Sequence, residues 1–113
     1  MLVDQIDAMY LRLSLEDNEV VRGELEESIS IVSQRACINE YVRTHENVPC
    51  NLTEFVDDGH SGTSMERPSM KRLLELVYMG RIRTIIVRDL SRFARNYLEA
   101  GHYLEYVFPA YGV

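Results

Sequence analysis

The 113-residue chain has no tryptophan, only three prolines and two cysteines, and a single lysine among its twelve basic side chains. Cys37 and Cys50 lack metal-type spacing and fall in segments that read as a helix and a loop, which argues against a disulfide framework and leaves both as reduced structural thiols. No apolar run approaches the length that spans a bilayer, and the N-terminal stretch MLVDQIDAMYLRLS carries acids where a secretory signal carries bases. A soluble, cytoplasmic protein with no membrane partner is expected. His45, His60 and His102 have no Glu or Cys partners at ligand spacing, so no metal is expected and each reads as a surface or internally satisfied histidine. Neither a Gly-x-Ser-x-Gly elbow around Ser14 nor a P-loop is present, so hydrolase and nucleotide-triphosphatase readings lack their local signatures. Repeats, low-complexity tracts and linkers are also missing. With 46% hydrophobic residues, the chain reads as one domain, residues 1–113, with a real core.

The formal charge of −6 argues against a free-standing, high-affinity DNA binder, because duplex affinity comes largely from phosphate neutralisation by Lys and Arg. That average hides a division. Residues 67–95 hold eight basic side chains against two acids, a local balance of +6 that leaves the remainder at −12. Eleven of the twelve basic residues are arginine, the side chain suited to bidentate recognition of phosphate oxygens. Arg81 and Arg83 read as an ordinary solvated basic face.

Ile6 to Ser14 reads as a first strand running into a loop through the acidic stretch Glu16 to Glu27. From Ser28 onward, with Ser28 or Ser30 as N-cap, Ile31, Ile38, Tyr41 and Val42 mark one face of a helix ending near His45 to Asn47. The polar Gln34 interrupts that stripe. Leu52 to Val56 reads as a short strand, and Asp57 to Thr63 as an exposed loop. Pro68 at a first helical position, apolar Met70, Leu73, Leu74 and Val77, and Gly80 past the end describe another helix. Thr84 to Val87 reads as a strand buried on both faces. A last helical stripe (Leu98, Gly101, Tyr103 or Leu104, Val107, Phe108) is expected to stop at Pro109. Strands alternating with helices imply an α/β fold with a mostly parallel central sheet flanked by helices, whose ligands bind at the carboxyl ends of the strands. Ser14 and Arg92 both fall at such ends.

Arg12 and Ser14 are two apart on a strand and share a face, which sets a hydroxyl beside a guanidinium. Arg92 and Arg95, three apart, share a face of a helical turn and can grip one anion; ion pairing with Asp89 or Glu99 is the competing structural reading. Tyr10 reads as packing beside the first strand. Tyr97, Tyr103, Tyr106 and Tyr111 read as core or subunit contacts rather than a stacking platform for bases.

Five segments in order, Tyr10-Leu11-Arg12-Leu13-Ser14, Ser30-Ile31-x-x-Gln34, Asp57-Asp58-Gly59-x-Ser61-Gly62-Thr63, Glu66-Arg67-Pro68-x-Met70 and Ile86-Val87-Arg88-Asp89-Leu90-Ser91-Arg92-Phe93-Ala94-Arg95, resemble the signature of the resolvase/invertase family of serine recombinases. The resemblance covers nearly the whole chain, and its wording is most similar to the large serine recombinases of mobile elements. It implies a resolvase-like catalytic domain with Ser14 as nucleophile and Arg12, Arg67, Arg92 and Arg95 as the phosphate-binding, transition-state-stabilising set. Gln34 matches the family's active-site glutamine, and the active-site aspartate falls on Asp57 or Asp58. Many members carry Asp where this chain has Ser91, and Ala94 replaces a frequent Gly.

The same resemblance implies DNA cleavage and rejoining through a covalent 5′-phosphoserine, without cofactor or metal. Its implied partners are double-stranded DNA, in the full-length protein, and further copies of the chain as dimer and tetramer. Because the sequence stops at Tyr111-Gly112-Val113 straight after Pro109, it reads as a piece cut before the DNA-binding domains, and the piece alone is expected to be inactive. Two other readings compete: a non-catalytic resolvase-fold oligomerisation or regulatory module, and a generic α/β phosphotransfer or hydrolytic enzyme that would turn over small phosphoesters.

Overall fold

A computed structural model describes residues 4–13, 29–49, 51–58, 67–94 and 96–113. Three parallel strands, β1 (Ile6–Arg12), β2 (Thr53–Asp57) and β3 (Ile82–Ile86), form a sheet in the order β2-β1-β3. Helix α1 (Ile29–Thr44) connects β1 to β2, and α2 (Pro68–Tyr78) precedes β3. Short α3 (Leu90–Phe93) and α4 (Tyr97–His102), a π-helical stretch (Tyr103–Val107) and α5 (Phe108–Tyr111) follow. This is the expected α/β arrangement with a parallel sheet flanked by helices.

β1 is central, so both its faces are covered, and its side chains alternate between two apolar clusters. Ala8 and Tyr10 join Phe55 of β2, Met70, Leu73 and Val77 of α2, Ile82, and Phe93, Val107 and Phe108 in the larger cluster. Met9 and Leu11 meet Ile31 and Ile38 of α1 in the smaller one. Helix α2 follows its sequence punctuation: Pro68 opens it, and Gly80 lies just beyond its end at φ +73°, a left-handed conformation that costs glycine no Cβ clash.

Five expectations need correction. β3 is half-buried, with Ile82 its one fully buried residue, because among the described residues it is an edge strand beside β1; the short β-branched run measured strand propensity rather than position in the sheet. Ser30 is the second residue of α1 rather than its cap, and Ser28 lies outside the described residues. Tyr41 stands off the buried stripe of α1, half-exposed, with its ring stacked on His45 at 3.8 Å. At the C-terminus Leu98 is 78% exposed, and the inward residues are Ala100, Val107 and Phe108 with Tyr103 packed against them.

Pro109 does not stop the helix either: it lies inside α5, which ends at Gly112 in the left-handed conformation (φ +75°). A proline ring clashes with the carbonyl four residues back in an α-helix. Here the preceding turn widens, with the Phe108 N–H reaching the Tyr103 carbonyl five residues back, and the chain passes the proline without breaking.

Candidate active site

The carboxyl ends of β1 and β2, the start of α2 and the turn of α3 bring five predicted site residues together: Arg12, Gln34, Asp57, Arg67 and Arg92. Asp58 follows Asp57 at the end of β2 and is partly buried. Ser14, Arg95 and the Ser61-Gly62-Thr63 motif lie outside the described residues, as does Cys50.

Gln34 is fully buried although it sits on the apolar side of α1. Its side-chain amide explains this: Oε1 accepts from the Arg12 N–H at 3.3 Å, while Nε2 donates to the Arg12 carbonyl at 2.9 Å and to Ser30 Oγ at 3.0 Å. In a parallel sheet the N–H and C=O of one residue face the same neighbouring strand. The Leu13 N–H bonds the Asp57 carbonyl of β2 at 3.1 Å, so the Arg12 groups face the other side, where β3 ends with Ile86 opposite Met9. Gln34 therefore supplies the partner that β3 no longer offers, and the backbone of Arg12 is held without a fourth strand.

From that fixed backbone the Arg12 guanidinium crosses to α3, donating from Nε to the Arg92 carbonyl at 2.9 Å and from its terminal nitrogen to the Ser91 carbonyl. Arg92 returns the contact, donating to the Arg12 carbonyl at 3.3 Å; it is 5% exposed. Asp89 organises the turn beneath them. As N-cap of α3 it accepts from the Ser91 N–H at 3.1 Å and from the Ser91 hydroxyl, with its other oxygen 3.7 Å from Arg92 Nε. Burial acts to raise the Asp89 carboxyl pKa, but the bonds from Ser91 and Arg88 outweigh it and hold the group below its ordinary value.

Arg67 reaches the same turn from the start of α2. It donates to the Phe93 carbonyl at 2.7 Å and pairs with Glu99 at 3.0 Å, the two side chains being 16% and 19% exposed. Glu99 was foreseen as an ion-pair partner for Arg92 or Arg95, and its described partner is Arg67. Asp57, one of the two candidate aspartates, is nearly buried and accepts from the amides of Ser69 and Met70, each at 2.9 Å, and from the Tyr10 hydroxyl at 2.7 Å. Burial first, then the bond to Asp57, pushes the Tyr10 phenol well above its ordinary pKa. The sequence reading of Tyr10 as simple packing missed this bond; the available signal was that Tyr10 and Arg12, two apart on a strand, share a face.

Two guanidiniums, those of Arg12 and Arg67, thus converge on carbonyl oxygens of residues 91–93, and a third, that of Arg92, bonds the Arg12 carbonyl, two residues before Ser14 in the chain. Guanidiniums arranged this way suit the oxygens of a phosphate. Among the described residues no group of three or more His, Cys, Asp or Glu could hold a metal ion, and no helix is long and apolar enough to cross a membrane.

An arginine cluster at the carboxyl edge of a parallel α/β sheet is what the fold presents, and comparison with known proteins identifies the family. Residues 8–113 match the resolvase N-terminal domain family, and the chain belongs to it: this is a serine recombinase catalytic domain, of a family that carries out site-specific recombination. Among solved structures the fold is similar to the crystal structure of the N-terminal catalytic domain of TP901-1 integrase, with a TM-score of 0.65 and 22% identity, covering 96% of this chain and 73% of that one. No curated protein matches.

Proposed function

We propose that this domain cleaves and rejoins DNA strands in site-specific recombination, with Ser14 as the nucleophile and Arg12, Arg67, Arg92 and Arg95 as the phosphate-binding set. The observation that carries the reading is the meeting of Arg12, Arg67 and Arg92 at the end of β1 that leads into Ser14. Ser14 Oγ attacks a backbone phosphorus; the Oγ–P bond forms, the P–O3′ bond breaks, the serine loses its proton and the departing 3′-oxygen gains one. The charge that develops on the non-bridging oxygens is met by guanidiniums already held in place, which lowers the barrier without reorganisation. The 5′-phosphoserine retains the phosphoester bond, so attack by a 3′-hydroxyl reverses the step and joins strands.

Gln34 holds the backbone of Arg12 and touches no phosphate in this scheme. Of the two candidate aspartates, Asp57 acts as a structural anchor through Ser69, Met70 and Tyr10. The partners are duplex DNA and further copies of the chain, assembled as dimer and tetramer. With a net charge of −6, these 113 residues leave most of the duplex affinity to DNA-binding elements supplied elsewhere in the full-length recombinase. The reading deepens towards the large recombinases of mobile elements through the wording of the Asp-Leu-Ser-Arg-Phe segment.

The test is covalent capture with full-length protein on a DNA site it recombines. The wild type is expected to form a protein–DNA adduct that Ser14→Ala abolishes; an adduct that survives this substitution, or that maps to a tyrosine, overturns the reading.

A further inference from the structure

Arg67 leaves the N-cap position of α2, where its side chain makes no capping bond, and runs across to the segment that follows β3. Its two terminal nitrogens end on different partners: one donates to the Phe93 carbonyl at 2.7 Å, the other to Glu99 Oε1 at 3.0 Å. A single hydrogen bond leaves a guanidinium free to turn about it, whereas a second bond, on another nitrogen, fixes the plane of the fork. Among the described residues these two are the hydrogen bonds of the Arg67 side chain. They take two of its five N–H groups and leave three for a further acceptor.

Both anchors are held from the core. Phe93 is buried and packs against Tyr103 and Phe108, with ring centroids 5.4 and 5.3 Å away, so its carbonyl has little room to move. Glu99 stands in the first turn of α4, four residues before Tyr103, and its N–H is taken by Oδ1 of Asn96, the cap of that helix, at 2.9 Å. Phe108 lies about two and a half α-helical turns beyond Glu99, which in an unbroken α-helix would put the two on opposite faces. The π-helical turn at Tyr103–Val107 takes in an extra residue and rotates the segments on either side of it by about a quarter turn relative to each other. Phe108 is thereby seated in the core while Glu99 is presented to Arg67. With 16% and 19% of the two side chains exposed, water screens this pair far less than a surface pair.

We propose that Glu99 is a positioning residue for the phosphate chemistry: together with the Phe93 carbonyl, its carboxylate fixes the plane of the Arg67 guanidinium and so aims the remaining N–H groups at the phosphate oxygens. Glu99 touches no substrate, and its charge opposes a phosphate rather than attracting it; what it contributes is the direction of Arg67. The inference rests on the recombinase reading above. A fork that swings on the Phe93 bond alone displaces its remaining N–H groups by on the order of 1 Å, and misplacement on this scale can cost about 100-fold in rate.

Glu99→Ala removes the acceptor, whereas Glu99→Gln keeps an acceptor oxygen and removes the charge. In the 113-residue chain, NMR of the arginine side chains reads the hold directly. Rotation of the Arg67 terminal nitrogen groups is expected to be slow in wild type and in Glu99→Gln, and to quicken in Glu99→Ala. In the full-length recombinase, single-turnover cleavage at saturating DNA, taken per folded molecule, is expected to slow about 10-fold in Glu99→Ala, within the range misplacement allows. DNA affinity should not weaken more than about 2-fold, and Glu99→Gln should restore the rate to within about 3-fold of wild type. In an Arg67→Lys background, where there is no planar fork to orient, Glu99→Ala is expected to change the rate less than about 2-fold. Four results each overturn the positioning role: Arg67 rotation or a cleavage rate that Glu99→Ala leaves unaltered, Glu99→Gln as slow as Glu99→Ala, or an equal slowing in both backgrounds. An adduct that persists in Ser14→Ala, or none from the wild type, instead removes the recombinase reading and the catalytic half of this inference with it, while the Arg67 rotation still reports on the pair with Glu99.

Discussion

The two ends of the three-stranded sheet use arginine in opposite ways. Near the amino ends of the strands, Arg83 of β3 lays both arms of its fork on the nearly buried carboxylate of Asp7 on β1, with Nε to Oδ1 at 3.0 Å. At the carboxyl ends, the described bonds of Arg12 run to backbone carbonyls, and Arg67 divides its fork between a carbonyl and Glu99. A carboxylate matched to the guanidinium fork gives two charge-assisted bonds and closes it; a carbonyl carries only partial charge and a single bond direction. A phosphate is therefore a far better competitor at the second end than at the first. The expected solvated face at Arg83 is instead a structural pair, exposed on the arginine side and buried on the aspartate side.

The sharpest way to break this contrast is Arg92→Ala. If the carboxyl-end arginines stabilise charge during cleavage, single-turnover cleavage by the full-length recombinase should fall by about 100- to 1,000-fold, as when one preorganised transition-state donor is deleted. A loss below tenfold would place Arg92 with Arg83 among the structural arginines. Asp7→Asn, at the other end, should leave the cleavage rate per folded molecule unchanged.

Gln34→Leu should act on both stability and rate. It strands the part-buried N–H of Arg12 and leaves its carbonyl to Arg92 alone, and losing such partners costs about 1–3 kcal/mol, read by urea unfolding. Gln34→Glu should fall between wild type and Leu, because an ionised carboxylate still accepts from the Arg12 N–H but cannot donate to its carbonyl. If Leu is as stable as Gln, the amide is not holding the strand end.

The smallest effect is expected from pH. The bond from Arg83, opposed by burial, holds the Asp7 carboxyl below its ordinary value. With the folded pKa depressed, the contribution to stability is present above the unfolded value of about 3.9 and is lost as pH falls from there through the folded pKa. Wild type should accordingly lose more stability than Asp7→Asn between about pH 4 and 2. Parallel acid unfolding curves would show that Arg83 contributes nothing through this pair.

Much of this was legible in the sequence where a local rule operates. The strand-compatible run from Ile6 to Arg12, the Pro68 and Gly80 punctuation of α2 and the strand–helix alternation all depend on neighbours a few residues away. The edge position of β3, the widened turn before Pro109 and the exposure of Leu98 depend on what packs where across the chain, and periodicity does not encode that. In the site, the residue set could be named from motifs, and Gln34 announced itself by breaking an apolar stripe. The partner of each guanidinium could not be named, since Arg12 meets α3 across 80 residues and Arg67 meets Glu99 across 32. Tyr10 was hidden because an aromatic in a buried strand needs no explanation until its hydroxyl is seen.

The amide of Gln34 also orders events in time. The carbonyl of Arg12 is gripped by a side chain 22 residues further on and by Arg92, 80 residues further on. Neither grip exists while β1 stands alone, and each closes only after its own loop has formed. A nascent or partly unfolded chain can therefore carry the nucleophile without an aligned Arg12 beside it. For a protein that breaks DNA strands, as proposed, the chemistry would be armed by completion of the fold and disarmed by any opening that releases these two grips.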